Sequence, residues 1–246
     1  MVAKTCPQAR LLVSSQRMGP GGSRNLLTRA ASHPWVAHFD DDSQPSKVSF
    51  FADAARWLTH LPASVAVLAG TIVTHEPPAE AGSVKLVAFY PGCGHLMNRS
   101  WFLRTQGYQV RPIAYNFEEV DVSLQLYRLG AHVIQVADLE IDHFHPTPAL
   151  DFWEVEAGVL ANLCLFPVLR YSAILLPWAA FRALRRMMVR ILPRPERGII
   201  LRQAAADLRH SLPLVWARRH PVPAVVCLNW MHLRRQPVPA NLSASF

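Results

Sequence analysis

Trp35-Val36-Ala37-His38-Phe39-Asp40-Asp41-Asp42-Ser43 decides the fold: a short hydrophobic run stops at three consecutive carboxylates. Residues 35–39 are too few, and too rich in aromatic and β-branched side chains, for a helix, so they predict a short buried strand. Three adjacent acids repel one another, and a folded chain keeps them where water, a cation or hydrogen-bond donors offset that repulsion. At the end of a buried strand, a hard divalent ion held by oxygens and shared with a phosphate meets that need. A solvated acidic turn with an aspartate as helix cap meets it equally well. The stretch alone does not separate the two.

Upstream, residues 9–15 read as a first strand, Gly19-Pro20-Gly21-Gly22 as a break, and Ser23 as the cap of a helix through Ala31. Strand, glycine turn, helix and strand together make a βαβ opening. Downstream, Phe50, Ala54, Trp57, Leu58 and Leu61 fall at helical spacing, and residues 65–73 and 84–90 read as strands. Pro91-Gly92-Cys93-Gly94-His95 interrupts the second of these, where glycine lets backbone approach a ligand or forms a bulge. Residues 99–106 predict a short helix. Residues 118–129 predict a better one, with Val120, Leu124 and Tyr127 on one face and Gly130 just past its end. Short strands at 133–136 and 139–141 lead to Asp142-His143-Phe144-His145-Pro146.

Half of the 246 residues are hydrophobic (51%), ample for a core. Charge is unevenly placed: 12 Lys/Arg face 13 Asp/Glu through Trp153, whereas 13 Arg face 4 acids beyond it. The basic character therefore belongs to the C-terminal part. Cys6, Cys93, Cys164 and Cys227 form no C-x-x-C pair, which argues against a structural zinc site or a disulfide framework and fits a reducing, cytoplasmic setting. Residues 1–20 lack the apolar run of a signal peptide. The apolar runs 157–169 and 171–181 fall short of the about 20 residues that span a bilayer. Next comes a helix with Trp178, Phe181, Leu184, Met188 and Ile191 on one face and Arg182, Arg185, Arg186 and Arg190 on another. Such a helix suits peripheral attachment to the inner face of an anionic membrane. Packing its apolar face on the rest of the protein is the competing reading. The tail after Ala217, with Pro221, Pro223, Pro237 and Pro239, reads as irregular, and Arg without interleaved aromatics gives little support for nucleic acid as a partner.

Three clusters carry chemistry: Asp40-Asp41-Asp42, Glu118-Glu119 with Asp121, and His143 with His145. Each lies where a strand ends or a helix begins, the end of an open α/β sheet where ligands bind. Singly, each has a plain alternative: Glu118 and Glu119 suit the first turn of any helix, and a lone histidine usually has a structural role. Their order is more telling. Gly22-Ser23-Arg24-Asn25 followed by residues 36–42 resembles the family 2 glycosyltransferases of the GT-A fold, where a glycine-led "(A/S)-R-N" helix precedes a strand ending in the Asp-rich DXD motif. The resemblance continues through Gly92-Cys93-Gly94 with Arg99, Phe102 and Gly107-Tyr108. It is most specific at Phe117-Glu118-Glu119-Val120-Asp121-Val122-Ser123-Leu124 with Arg128 and Gly130, the family's "E-(D/E)-x-D-L-x-x-R-x-x-G" helix.

The resemblance covers about residues 9–146 and implies an α/β fold: a GT-A (Rossmann-like) mixed sheet flanked by helices. It implies an inverting transferase that moves a sugar from a nucleotide-sugar donor to a hydroxyl acceptor on a glycan, lipid or small molecule. Asp40 and Asp42 would hold Mg²⁺ or Mn²⁺, with His143 completing the shell and His145 the less well aligned choice. Glu119 holds the position of the catalytic base, with Glu118 as the alternative. Arg24, Asn25 and Asp41 would serve the donor, and Gly92, Cys93 and Gly94 would line the sugar and acceptor cleft. Relatives open with a "P-x-x-N" strand, a helix and a "D-D-x-S-x-D" strand that bind the nucleotide. No counterpart occurs here, so the expectation is a partial, N-terminally truncated catalytic domain over 1–150 and a helical basic extension with a Pro-rich tail over 151–246. A non-catalytic remnant of the same fold and a metal-dependent phosphoesterase using Asp40, Asp42, His143 and His145 are the rival readings.

Overall fold

The computed structural model of the chain describes residues 8–15, 18–73, 82–110, 117–144 and 152–240, and candidate His145 lies outside them. Among the described residues, seven strands form one mixed sheet: β1 (Trp35–His38), β2 (Ser43–Pro45), β3 (Val65–Ile72), β4 (Val84–Val87), β5 (His95–Asn98), β6 (His132–His143) and β7 (Val238–Pro239). Their order is β1-β5-β3-β6-β4-β7, with β2 alongside the far half of β6. β3 and β6 run parallel and every other pair is antiparallel. The unbroken apolar run of β3 follows from its central place, covered on both faces.

The helices are α1 (Gly19–Ala30), α2 (Phe50–His60), α3 (Arg99–Leu103), α4 (Glu118–Arg128), α5 (Phe152–Arg170), α6 (Leu176–Arg186), α7 (Arg197–Ala217) and α8 (Ala224–Arg235). On one side of the sheet, Met97, Phe102, Tyr108, Val122 and Leu126 form a core beneath α3 and α4. On the other, Phe50 and Ala54 of α2 pack on Leu68, Ile134, Leu139 and Ile141. A third cluster joins α4 to α8 through Val120, Leu124, Phe166, Tyr171 and Trp230. This is a mixed α/β architecture with helices flanking the sheet, as the sequence leads one to expect.

Several local expectations need correction. Residues 8–15 form no strand, and Leu11 and Val13 stay exposed. The opening is therefore not a βαβ unit. Among the described residues the first element is α1, and β1 is an antiparallel edge strand in which His38 alone is buried. Helix α1 also starts earlier than predicted. Pro20 is tolerated in its first turn, and Ser23 bonds back to Gly19 O at 3.0 Å instead of capping. Gly21 lies within this helix because a Cβ there would sit 2.9 Å from Tyr108 Cβ. The two short strands expected around 133–141 are one strand, β6. Its pairing with β3 shifts register near Gly70, where the Ile141 side chain leaves no room for a Cβ.

The tail predicted to be irregular instead forms α8 and β7. Pro223 sits at the N-terminus of α8, and Cys227, Trp230 and Leu233 give it a buried stripe. Trp230 donates its indole N–H to Ala88 O at 2.7 Å. Helix α5 ends on Arg170, whose guanidinium is fully buried, 0% exposed. It donates Nε and Nη2 to the two oxygens of Asp121 in α4, and Nη1 to Gln106 Oε1 at 2.6 Å. No helix among the described residues is long and apolar enough to cross a membrane.

Candidate active site

The side chain of Arg24, on α1, is where the separate motifs meet. It is buried and donates Nη1 to Glu119 Oε1 at 2.5 Å, and Nη2 to Asp40 Oδ1 at 2.5 Å and to Gly92 O at 3.1 Å. One guanidinium thus joins α1, the end of the β1 strand, the glycine turn and the start of α4. Burial works to depress its pKa, but the charges of Glu119 and Asp40 more than offset that and hold it above the ordinary value. Glu119 sits in the first turn of α4, where the helix dipole favours a carboxylate. Burial, and then the charge of Glu118, push its pKa above the ordinary range, with Arg24 opposing them.

Past Asp40 the chain makes a tight turn: Asp40 N–H donates to Ser43 Oγ at 2.8 Å and Ser43 N–H to Asp40 O at 3.2 Å. This turn feeds β2, whose pairing with the end of β6 sets Ser43 opposite His143. Asp42 Oδ1 consequently lies 3.4 Å from His143 Nε2, while Asp41 is exposed. Cys93 is buried near these acids: burial, then the charge of Asp40, push its thiol up to about 11.

The other predicted residues divide by what they touch. A Cβ on Gly92 would run into Glu119 and Arg24, so glycine there lets the backbone close over the ion pair. Gly94 makes room instead for the Ile141 side chain, at 2.6 Å from where its Cβ would be. Asn25 exchanges hydrogen bonds with the Tyr108 backbone, both at 2.9 Å, and so fixes the turn at Gly107, whose φ is +69°. Glu118 accepts from Phe117 N–H at 3.1 Å and lines a cavity with Gln109, Asp121, Phe166 and Val215.

Beneath the ion pair lies a layer to which sequence reasoning gave no role. His38 and His95 face each other in the β1–β5 register and stack with ring centroids 4.9 Å apart. His38 Nε2 is 3.1 Å from Thr28 Oγ1, and His95 Nδ1 donates to Pro91 O at 3.1 Å. Tyr90 packs on His95 and shares a 2.8 Å hydrogen bond with Tyr108 through their hydroxyls. The available signal was a histidine within an apolar strand, but its partner is 57 residues away along the chain.

Burial, then the Arg24 charge, bring the His38 pKa down from 6.5 to about 4, and burial lowers His95 further below its usual value. Between those pH values the unfolded chain holds a proton on His38 that the folded chain does not, so stability rises with pH across that window. We expect the unfolding free energy to fall by roughly 3 kcal/mol as pH drops from 6.5 to 4, at about 1.4 kcal/mol per pKa unit. Thermal melts across that range test this; a flat profile would contradict it.

Among the described residues, no group of three or more His, Cys, Asp or Glu side chains is placed to hold a metal ion. Asp42 and His143 come together as a pair suited to part of a cation's shell, while Asp40 is committed to Arg24.

The chain matches no family model, and no curated protein is similar enough to count as a relative. The fold itself is shared with a solved protein. Among solved structures, the chain is similar to the mannosyltransferase PcManGT from Pyrobaculum calidifontis in complex with GDP-Man and Mn²⁺, with a TM-score of 0.51 and 16% sequence identity. The match covers 94% of this chain but 64% of that one, so this chain spans less than two thirds of the neighbour's length.

Proposed function

We propose that this chain is a family 2, GT-A-type glycosyltransferase that moves a sugar from a nucleotide-sugar to an acceptor hydroxyl, with inversion at the anomeric carbon. The observation that carries this reading is the single buried guanidinium that gathers Glu119 and Asp40 at one point, beside the Asp42–His143 pair. Glu119, more basic than an ordinary glutamate, takes the acceptor's proton. The acceptor oxygen bonds to the anomeric carbon as the carbon–oxygen bond to the diphosphate breaks, and the electron pair leaves on the diphosphate. Asp42 and His143, with Asp40 released from Arg24, would hold Mg²⁺ or Mn²⁺, which as a Lewis acid offsets the leaving group's charge. Arg24, already cationic and buried, adds fixed positive charge at the same place. Asn25 keeps the turn at Gly107 in place beside it. Residues 1–150 carry this chemistry in the proposal. The donor brings nucleotide, sugar and diphosphate, and the acceptor is a glycan, lipid or small molecule.

Calorimetry of the chain with a panel of nucleotide-sugars, with and without Mn²⁺, tests the reading. We expect one donor to bind, and chelation with EDTA to weaken that binding at least tenfold. No binding across the panel would point to a fold that has kept its shape without its chemistry. Cleavage of a simple phosphoester that needs no nucleotide would point to a hydrolase.

A further inference from the structure

Helix α6 packs Leu176 and Trp178 at its start against the α4–α8 cluster but presents its later large apolar side chains to the outside. The positions it buries are alanines, Ala179 and Ala183, whose small size allows close packing on α5. Outward lie Phe181, Leu184, Met188 and Val189, each between 52% and 63% exposed, with Ile174 just before the helix at 77%. A π turn at Met187–Ile191 extends the same segment and anchors it inward through Ile191. Amphipathic helices of globular proteins bury their larger apolar residues. This one leaves Phe181 and Leu184 outside.

Single exposed apolar residues are ordinary; four within nine positions, interleaved with arginine, are a contact surface. Arg182, Arg185, Arg186 and Arg190 line an open groove of about 200 Å³ together with Leu163 and Val189. Among the described residues the acid paired with them is Glu156, 2.8 Å from Arg186 and 3.9 Å from Arg190. Arg182 lies over the Trp178 ring at 4.9 Å, which holds its charge at the rim of the apolar strip.

We propose that this face docks on an anionic phospholipid bilayer. Phe181, Leu184, Met188 and Val189 enter the boundary of the acyl chains, and the arginine groove takes lipid phosphates. Charge and shape select this occupant. A second copy of the same face would set arginines against arginines, and a nucleic acid would leave the apolar strip without a partner. The attachment is to one leaflet, since no described helix can cross. It stands independently of sugar transfer.

The test is flotation of the full chain with vesicles of phosphatidylcholine alone or of equal parts phosphatidylcholine and phosphatidylglycerol. We expect binding at least tenfold stronger to the anionic vesicles. Phe181→Ser/Leu184→Ser should abolish it and Arg182→Gln/Arg185→Gln should weaken it about tenfold, with melting curves showing each variant folded. Arg56→Gln, an exposed change on α2, should bind like the parent. Failure to float with anionic vesicles would overturn the proposal. So would full binding by Phe181→Ser/Leu184→Ser, an equal loss in Arg56→Gln, or self-association that this double variant removes without any lipid binding.

Discussion

Glu119→Gln is expected to lower sugar transfer by two to four orders of magnitude, the usual worth of a positioned general base, while donor binding survives. Glutamine keeps the shape and an oxygen for Arg24 Nη1, so the clasp to Asp40 is disturbed little. What it removes is the proton acceptor. Because burial and the Glu118 charge raise the Glu119 pKa, the acid limb of kcat/KM against pH should lie above the ordinary glutamate range. The sign follows from the role: the ionised form works, so the rate climbs as pH rises through that raised value and then levels. Full activity in Glu119→Gln would remove Glu119 from the mechanism. A limb that vanishes in Glu118→Gln and persists in Glu119→Gln would hand the role to its neighbour.

The second large effect is on folding. Arg170→Met should destabilise the chain by about 3–5 kcal/mol, because it strands the Asp121 carboxylate, buried at 2% exposure, without its cation. For a chain of this size that lowers Tm by roughly 6–20 °C. The loss belongs to the orphaned charge, not to a net attraction in the pair. Arg170→Met/Asp121→Leu should therefore recover most of the stability, with part of the deficit left at Gln106, which also depends on Arg170. Calorimetric melts of the two variants decide it: a single variant as stable as the parent, or a double variant worse than the single, would refute this account.

Much of the architecture was legible because it is written locally. Helix α4 declares itself through first-turn acids, an apolar face and Gly130, which takes a φ of +79° just past its end. The central strand β3 is an unbroken apolar run. What stayed hidden depends on distant partners. Nothing near Arg24 indicates that it reaches Glu119, 95 residues on, and Asp40 together. Residues 9–15 have strand composition, yet they form no strand and leave Leu11 and Val13 exposed, and composition cannot supply the sheet that would cover them. Helix α8 was obscured by flanking prolines, which mark its start and not an absence of structure. For α6 the apolar and arginine faces were readable, yet the side that turned inward is a third one, marked by Ala179 and Ala183. The candidate site shows the same division. Its residue types stand out in order along the chain, whereas the stacked His38 and His95 exist only once β1 and β5 lie side by side.

The outermost strand beyond β4 has one more effect. Pro237 and Pro239 flank and enter β7, so proline nitrogens without hydrogens sit at the rim of the sheet. Such a rim offers an incoming chain too few donors to continue the ladder. This proline-bearing strand thus acts as a stopper, protecting crowded, newly made molecules from stacking strand upon strand on that flank.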